Sequence, residues 1–264
     1  MDAEATATVK LAVLIDADNA QPKMASLLLA EIAKYGTAFV KRAYGDWTTN
    51  NMNGWKEHLL QNSIRPIQQF AYTQGKNSTD AAMVIDAMDL LYTNRFDGFC
   101  IVSSDSDFTR LASRIRESGL FVYGFGERKT PRPLVVACDK FIYTENLSAN
   151  VTTASAQPPS TSPEDLVSRK RQFHETSMKD SADLDSERSF IHEAIVSNYN
   201  DDGEAALAPL GEYINKRRPD FDPRSFGHHK LSHLLQQDPL LEVTKRVTIE
   251  GKPPVLYVRM LPPH

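Results

Sequence analysis

Three groups of aspartates punctuate the first half of this 264-residue chain: Asp16 and Asp18 with Asn19 directly after them, Asp80 six residues before Asp86, and Asp105 with Asp107. Carboxylates brought within a few ångströms of one another repel and raise their own pKa values, so such a cluster implies a divalent cation. Oxygen-only ligands select Mg²⁺ or Mn²⁺, which polarise a phosphoryl oxygen and activate a water. Hydrolysis of a phosphodiester is the natural use of that chemistry.

The elements around these residues must bring them together. Short apolar runs read as strands at residues 11–15, 39–44, 64–69, 98–103, 121–125 and 140–144. Helices fit residues 23–35, closed by Gly36, then 54–62, 80–92 and 108–118, closed by Gly119. The alternation predicts an α/β fold of three layers, a mostly parallel sheet with helices on both faces. Asp16 and Asp105 then follow the ends of strands while Asp80 opens a helix, and in open α/β sheets ligands bind beyond the carboxyl ends of the strands. At roughly 100° per residue Asp86 points away from Asp80, so Asp86 is left out of the ligand set.

Each motif alone has a plainer reading. Asp16 or Asp18 suits the N-cap of the helix at 23–35, Asp105 that of the helix at 108, and Asp80 stands at a helix start where capping is common. The coincidence of three motifs, two of them at strand ends, favours the site.

Composition bounds the rest. Apolar residues make up 41% of the chain, enough for real cores, and a net charge of −4 argues against a generally basic nucleic-acid binder without excluding a local patch. Residues 1–10 are acidic and rich in Thr and Ala, and the apolar run after them has only the length of a strand. Neither a signal peptide nor a membrane span is expected, which makes a cytoplasmic protein the default. Cys100 and Cys138 sit in apolar segments and read as reduced packing residues.

From 148 to 185 the composition turns to Ser, Thr, Ala and Pro, a flexible linker with one short helix possible near 166–173. The sheet domain thus spans 1–147 and a second module 186–264. That module reads as helices at 188–199, 207–218 and 223–237 and a hairpin of strands 241–249 and 254–259, the pattern of a small winged-helix domain.

Leu14-Ile15-Asp16-Ala17-Asp18-Asn19, Gly75-Lys76-Asn77-Ser78-Thr79-Asp80 and Val102-Ser103-Ser104-Asp105-Ser106-Asp107-Phe108 resemble the NYN domain, a branch of the PIN-like nuclease superfamily. Ala137-Cys138-Asp139-Lys140-Phe141-Ile142-Tyr143 resembles that domain's closing segment. The resemblance implies metal-dependent endonuclease action on RNA. On it, Asp16, Asp80, Asp105 and Asp107 match the acidic cluster that holds Mg²⁺ or Mn²⁺, with Asn19 orienting a water or phosphate. Asp18, Ser103 and Ser104 support the cluster, and Lys76 meets substrate phosphate. Where the family has Lys-Gly-x-Asp, this chain has Lys-Asn-Ser-Thr-Asp, which also lets Lys76 be a solvated turn residue. The implied reaction is in-line attack of an activated water on phosphorus with expulsion of the ribose 3′ oxygen. A homodimer through the sheet domain is a further implication, although no apolar stripe in the sequence marks its face.

Leu207-Ala208-Pro209-Leu210-Gly211-Glu212-Tyr213-Ile214 and Phe226-Gly227-His228-His229-Lys230-Leu231 resemble the LOTUS, or OST-HTH, domain, a module associated with RNA binding. Lys216, Arg217, Arg218, Arg224, His228, His229 and Lys230 cluster there and are candidates for RNA contact, or else solvate helix ends. His233, next to Leu234, reads as a packing residue. Trp47, Trp55 and Phe70 stand near the strand ends, where they could stack on bases but more often pack a helix onto a sheet.

Two rivals remain open. Asp-x-Asp after a first strand also begins haloacid-dehalogenase phosphatases, yet Ala20 stands where those enzymes need Thr or Val. The other is a non-catalytic adaptor that binds RNA through both modules.

Overall fold

The computed structural model describes residues 8–70, 78–148, 186–246 and 254–262. They fall into two compact units, one within Met1–Val151 and Arg218–Phe221, the other within Thr152–Arg217 and Asp222–His264. The linker expected at 148–185, with its short helix, lies outside the described residues apart from Ser148.

In the first unit six strands form one fully parallel sheet: β1 (Lys10–Asp16), β2 (Thr37–Gly45), β3 (Arg65–Gln68), β4 (Gly98–Val102), β5 (Phe121–Gly126) and β6 (Lys140–Tyr143). Their order is β3-β2-β1-β4-β5-β6. The helices are α1 (Ala25–Ile32), α2 (Trp55–Asn62), α3 (Ser78–Tyr92), α4 (Thr109–Glu117), α5 (Arg132–Ala137) and α6 (Glu145–Ser148). Growth runs outward from β1 to β3, then α3 carries the chain back past β1 to β4. Parallel crossovers are right-handed, so this reversal puts α1 and α2 on one face and α3, α4 and α5 on the other.

The two faces account for the apolar runs. Leu11, Val13 and Ile15 meet Leu28, Trp55 and Leu147 beneath α1, α2 and α6, while Ala12 and Leu14 meet Met83, Leu111 and Leu134 beneath α3, α4 and α5. A strand buried on both sides has no polar face to alternate with, which is why β1 and β4 read as continuous apolar segments.

Local details depart from expectation. The helix expected from residue 23 starts with a 3-10 turn, Pro22–Met24, and α5 and α6 were not anticipated. Gly36 does not take the left-handed conformation of a helix-closing glycine, whereas Gly119 does, at φ +81°. Gly36 is required by close approach instead, because a Cβ there would lie 2.6 Å from the carbonyl oxygen of Val9.

The second unit contains α7 (residues 186–197), β7 (Ala205–Ala206), α8 (Leu207–Arg217), α9 (Leu231–Gln236), β8 (Leu241–Arg246) and β9 (Val255–Met260). Its antiparallel sheet has the order β7-β9-β8, and Ile195, Leu210, Ile214, Leu235 and Val258 supply its core. The single helix expected at 223–237 is divided. Asp222 caps a 3-10 turn, Pro223–Phe226, which Gly227 ends at φ +77° before α9 begins. The link between β8 and β9, residues 247–253, lies outside the described residues.

The two glycines give a paired test. Gly36→Asn, which a left-handed cap would tolerate, loses about 1–3 kcal/mol through overpacking, whereas Gly119→Asn costs under about 1 kcal/mol. The chain's two tryptophans, Trp47 and Trp55, both lie in the first unit. Tryptophan fluorescence during denaturation therefore measures that unit alone, and equal losses for the two variants would refute the distinction.

Candidate active site

The reversal of strand order between β1 and β4 opens the crevice in which open α/β sheets bind ligands. Asp16 ends β1 there with 1% of its surface exposed. One of its oxygens, Oδ2, accepts hydrogen bonds from Ser103 Oγ at 2.7 Å and from Asn19 Nδ2 at 2.8 Å, and the backbone N–H of Asn19 reaches Oδ1 at 3.3 Å. Burial nevertheless raises the Asp16 pKa, with these hydrogen bonds opposing and the charge of Asp18 adding to the rise.

Ser103, the first residue after β4, also accepts the backbone N–H of Asp105 at 3.0 Å. Asp105 Oδ1 in turn accepts that of Asp107 at 2.9 Å and caps the turn Ser106–Phe108, which the buried Phe108 side chain anchors. Ser104 Oγ accepts the N–H of Glu127 at 2.8 Å, tying this loop to the end of β5. The capping reading thus holds for Asp105. It does not hold for Asp16 or Asp18, since neither the turn at Pro22–Met24 nor α1 has a side-chain cap.

Asp80 enters from the first turn of α3. Asp80, Asp105 and Asp107 each offer a carboxylate oxygen, all within 4.8 Å of one another. Burial, followed by the charges of Asp16, Asp105, Asp107 and Asp18, pushes the Asp80 pKa up to about 6. Convergent oxygens and unrelieved like charge are what a hard divalent cation would satisfy, so the donor set fits Mg²⁺ or Mn²⁺. Of the four aspartates expected to converge, Asp16 is not in this trio. Ser103 and Asn19 engage its carboxylate, and it adds negative charge beside the three.

Asp86 lies apart, as its helical spacing requires. Its carboxylate pairs with Arg42 and accepts the Tyr44 hydroxyl, both from β2, and burial pushes that hydroxyl's pKa up. Tyr44 is the register partner of Asp16. The contact fastens α3, and with it the turn bearing Asp80, to the strand beside β1. Sequence reasoning excluded Asp86 but missed this clamp; the usable signal was Arg42 and Tyr44 at alternate positions of one strand.

Lys76 lies outside the described residues. Trp55 is buried and donates from Nε1 to the Ala17 carbonyl at 3.2 Å, and Trp47 meets it edge-on at 6.5 Å, so both pack rather than present a stacking face. Phe70 is 49% exposed. Cys100 and Cys138 are free and buried, and burial pushes the Cys138 thiol up to about 12.

In the second unit Lys216, His229 and Lys230 are exposed and His228 is half-buried. Arg217 pairs with Glu193 at 2.6 Å and lies over the Phe190 ring at 5.3 Å, while Arg224 is bound to Asp222 at 2.6 Å. Arg218 is partly exposed just beyond α8. His233 is exposed, contrary to the packing role expected of it, because Leu235 faces the core from α9 instead. Among the described residues no helix is long and apolar enough to cross a membrane.

The acidic site implies a pH dependence. A carboxylate whose native pKa is raised binds more protons folded than unfolded. Its contribution to stability is complete below the ordinary value of 3.8 and is lost as pH rises through about 6. Asp80→Asn removes that loss, so in EDTA the variant melts above the parent at pH 8 and with it at pH 4. Tryptophan-monitored melting checks this, and the same difference at both pH values would reject it.

No curated protein matches the chain. Among solved structures, a protein of unknown function from Vibrio parahaemolyticus is 19% identical, with a TM-score of 0.44 over 53% of this chain and 94% of that one. An uncharacterized protein from Nitrosomonas europaea is 35% identical, with a TM-score of 0.27 over 29% of this chain and 74% of that one. The NYN domain model matches residues 10–174 and the OST-HTH/LOTUS domain model residues 182–253. An NYN domain is a PIN-like, nuclease-type domain, and OST-HTH/LOTUS domains bind RNA. The chain belongs to the NYN domain family and carries an OST-HTH/LOTUS domain at its C-terminal end.

Proposed function

We propose that this protein is a metal-dependent endoribonuclease acting on single-stranded RNA, with residues 1–147 as the nuclease domain, 148–185 as linker and 186–264 as a winged-helix RNA-binding domain. The observation that carries the reading is the convergence of Asp80, Asp105 and Asp107 at the strand-order reversal, beside the buried Asp16. The reading holds for a monomer or for a homodimer through the sheet domain. A cytoplasmic location accords with two buried, unpaired cysteines.

Asp80, Asp105 and Asp107 would hold the cation, Mg²⁺ or Mn²⁺. Once bound, it supplies Lewis-acid polarisation of a phosphoryl oxygen and acidifies a water. The chain's own residues set the stage for that chemistry. Ser103 fixes Asp16 and the Asp105 backbone at once, so the ends of β1 and β4 keep their spacing. Asn19, anchored on Asp16, borders the carboxylates where substrate would lie. Asp86 holds α3 and so keeps Asp80 within reach of the loop after β4.

RNA engagement would fall to exposed polar and basic residues of the second unit, Lys216, His229 and Lys230, with His228 and Arg218 as further candidates. Arg217 and Arg224 already hold carboxylates, so their part would be to shape that surface. Covalent tethering raises the concentration of RNA around the nuclease domain without any new contact.

With 5′-labelled single-stranded RNA, cleavage is expected in Mn²⁺ or Mg²⁺ and lost in EDTA, and Asp105→Asn should slow it by about a hundredfold or more. Mn²⁺ at about 100 times its Kd should stabilise the first unit by about 2.7 kcal/mol, an effect missing in Asp80→Asn. RNA binding without cleavage in any metal would make the protein an adaptor instead. For the second unit, Lys230→Glu should weaken RNA binding and reduce the slope of log affinity against log salt by about 0.7 for each phosphate no longer neutralised. An unchanged slope would take Lys230 out of the interface.

A further inference from the structure

Beside the aspartate trio, and bordered by Asn19 and Ser103, lies a cleft of about 300 Å³ formed by the turn after β1 and the ends of β4, β5 and β6. We propose that this cleft is a subsite for one nucleoside of the RNA chain, next to the phosphate that is cut; the assignment to RNA rests on the nuclease reading above.

Position, size and chemistry support it. Asn19 and Ser103 form part of its wall and also hold Asp16, so a group in the cleft adjoins the acidic centre. The volume stands at the lower end of small-molecule sites, which run from about 300 to 1,000 Å³. Met24, Leu28 and Phe125, all buried, give an apolar floor for the face of a base. Gln21 and Thr144 on the rim supply amide and hydroxyl groups suited to base edges and ribose hydroxyls.

Charge argues for a nucleoside rather than a phosphate as occupant. Glu127 and Glu145 line the cleft against a single lining cation, Lys23. Glu127 is held in its charged form, its pKa lowered chiefly by a hydrogen bond from Lys129 at 2.8 Å. With Glu127 paired to Lys129, and Glu145 set against Lys23, the cleft has no net positive charge to hold a phosphate, whereas the neutral sugar and base bring donors that carboxylates accept.

The test uses the full chain in EDTA, where no metal-dependent cleavage occurs, with adenosine and uridine as probes followed by saturation-transfer NMR. Two exposed rim positions on different elements carry the blocking substitutions, Gln21→Trp from the turn after β1 and Ser148→Trp from the end of α6. Binding of at least one nucleoside by the parent, weakened at least tenfold by both substitutions while the melting temperature holds, is the expected result. No binding to the parent, or binding that neither substitution alters, would overturn the subsite. Failure of the nuclease reading shows separately, as RNA that stays intact in Mn²⁺, and leaves this binding measurement readable.

Discussion

The site depends on keeping one carboxylate out of water. Asp16 is 1% exposed at the end of a strand buried on both faces, and an ionised carboxylate in that position is costly unless donors surround it. Ser103 and Asn19 are those donors. Ser103 directly follows β4, which neighbours β1 in space but not in sequence, so the hydrogen bond exists only because α3 carries the chain across the sheet. The same hydroxyl accepts the Asp105 N–H. One serine therefore both lowers the cost of Asp16 and sets the conformation that delivers Asp105 and Asp107.

A second constraint acts from the helix side. Asp80 feels the charge of four other carboxylates and has no cation of the chain to neutralise it among the causes of its raised pKa. Repulsion would drive the first turn of α3 away unless something further along the helix held it. Asp86 does so through Arg42 and Tyr44, whose loss would leave a partly buried guanidinium and a buried hydroxyl without their partner. The clamp keeps like charges together, a local strain of the kind expected where function opposes stability.

Much of this was legible in the sequence because parallel strands covered on both faces, β1 and β4 above all, leave uninterrupted apolar runs. What escaped was context. Gly36 and Gly119 look alike after a helix, but only Gly119 needs a positive φ, while Gly36 answers to a carbonyl 27 residues earlier in the chain. The helix expected at 223–237 had a helical apolar period, yet Gly227 and the Asp222 cap split it. Capping and metal binding were posed as rivals at Asp105, although one oxygen caps the following turn while the carboxylate still belongs to the trio. The hydrogen bond from Ser103 to Asp16 was also beyond the sequence, because the two residues are 87 positions apart and meet only through the strand order.

Electrostatics links the two activities the fold suggests. With no cation present, the acidic end of the sheet repels a phosphodiester. On the proposed reading, a divalent cation is therefore as much a condition for RNA to approach this surface as a participant in its cleavage. Linkage makes the relation reciprocal, so RNA held at the site must tighten cation binding by the same factor. On the same reading the second unit would not share this dependence, because Lys216 and Lys230 are exposed cations of its own. On that reading, RNA captured by the second unit would enter the acidic site only once a divalent cation is bound, so divalent cation concentration rather than RNA affinity would set when it enters.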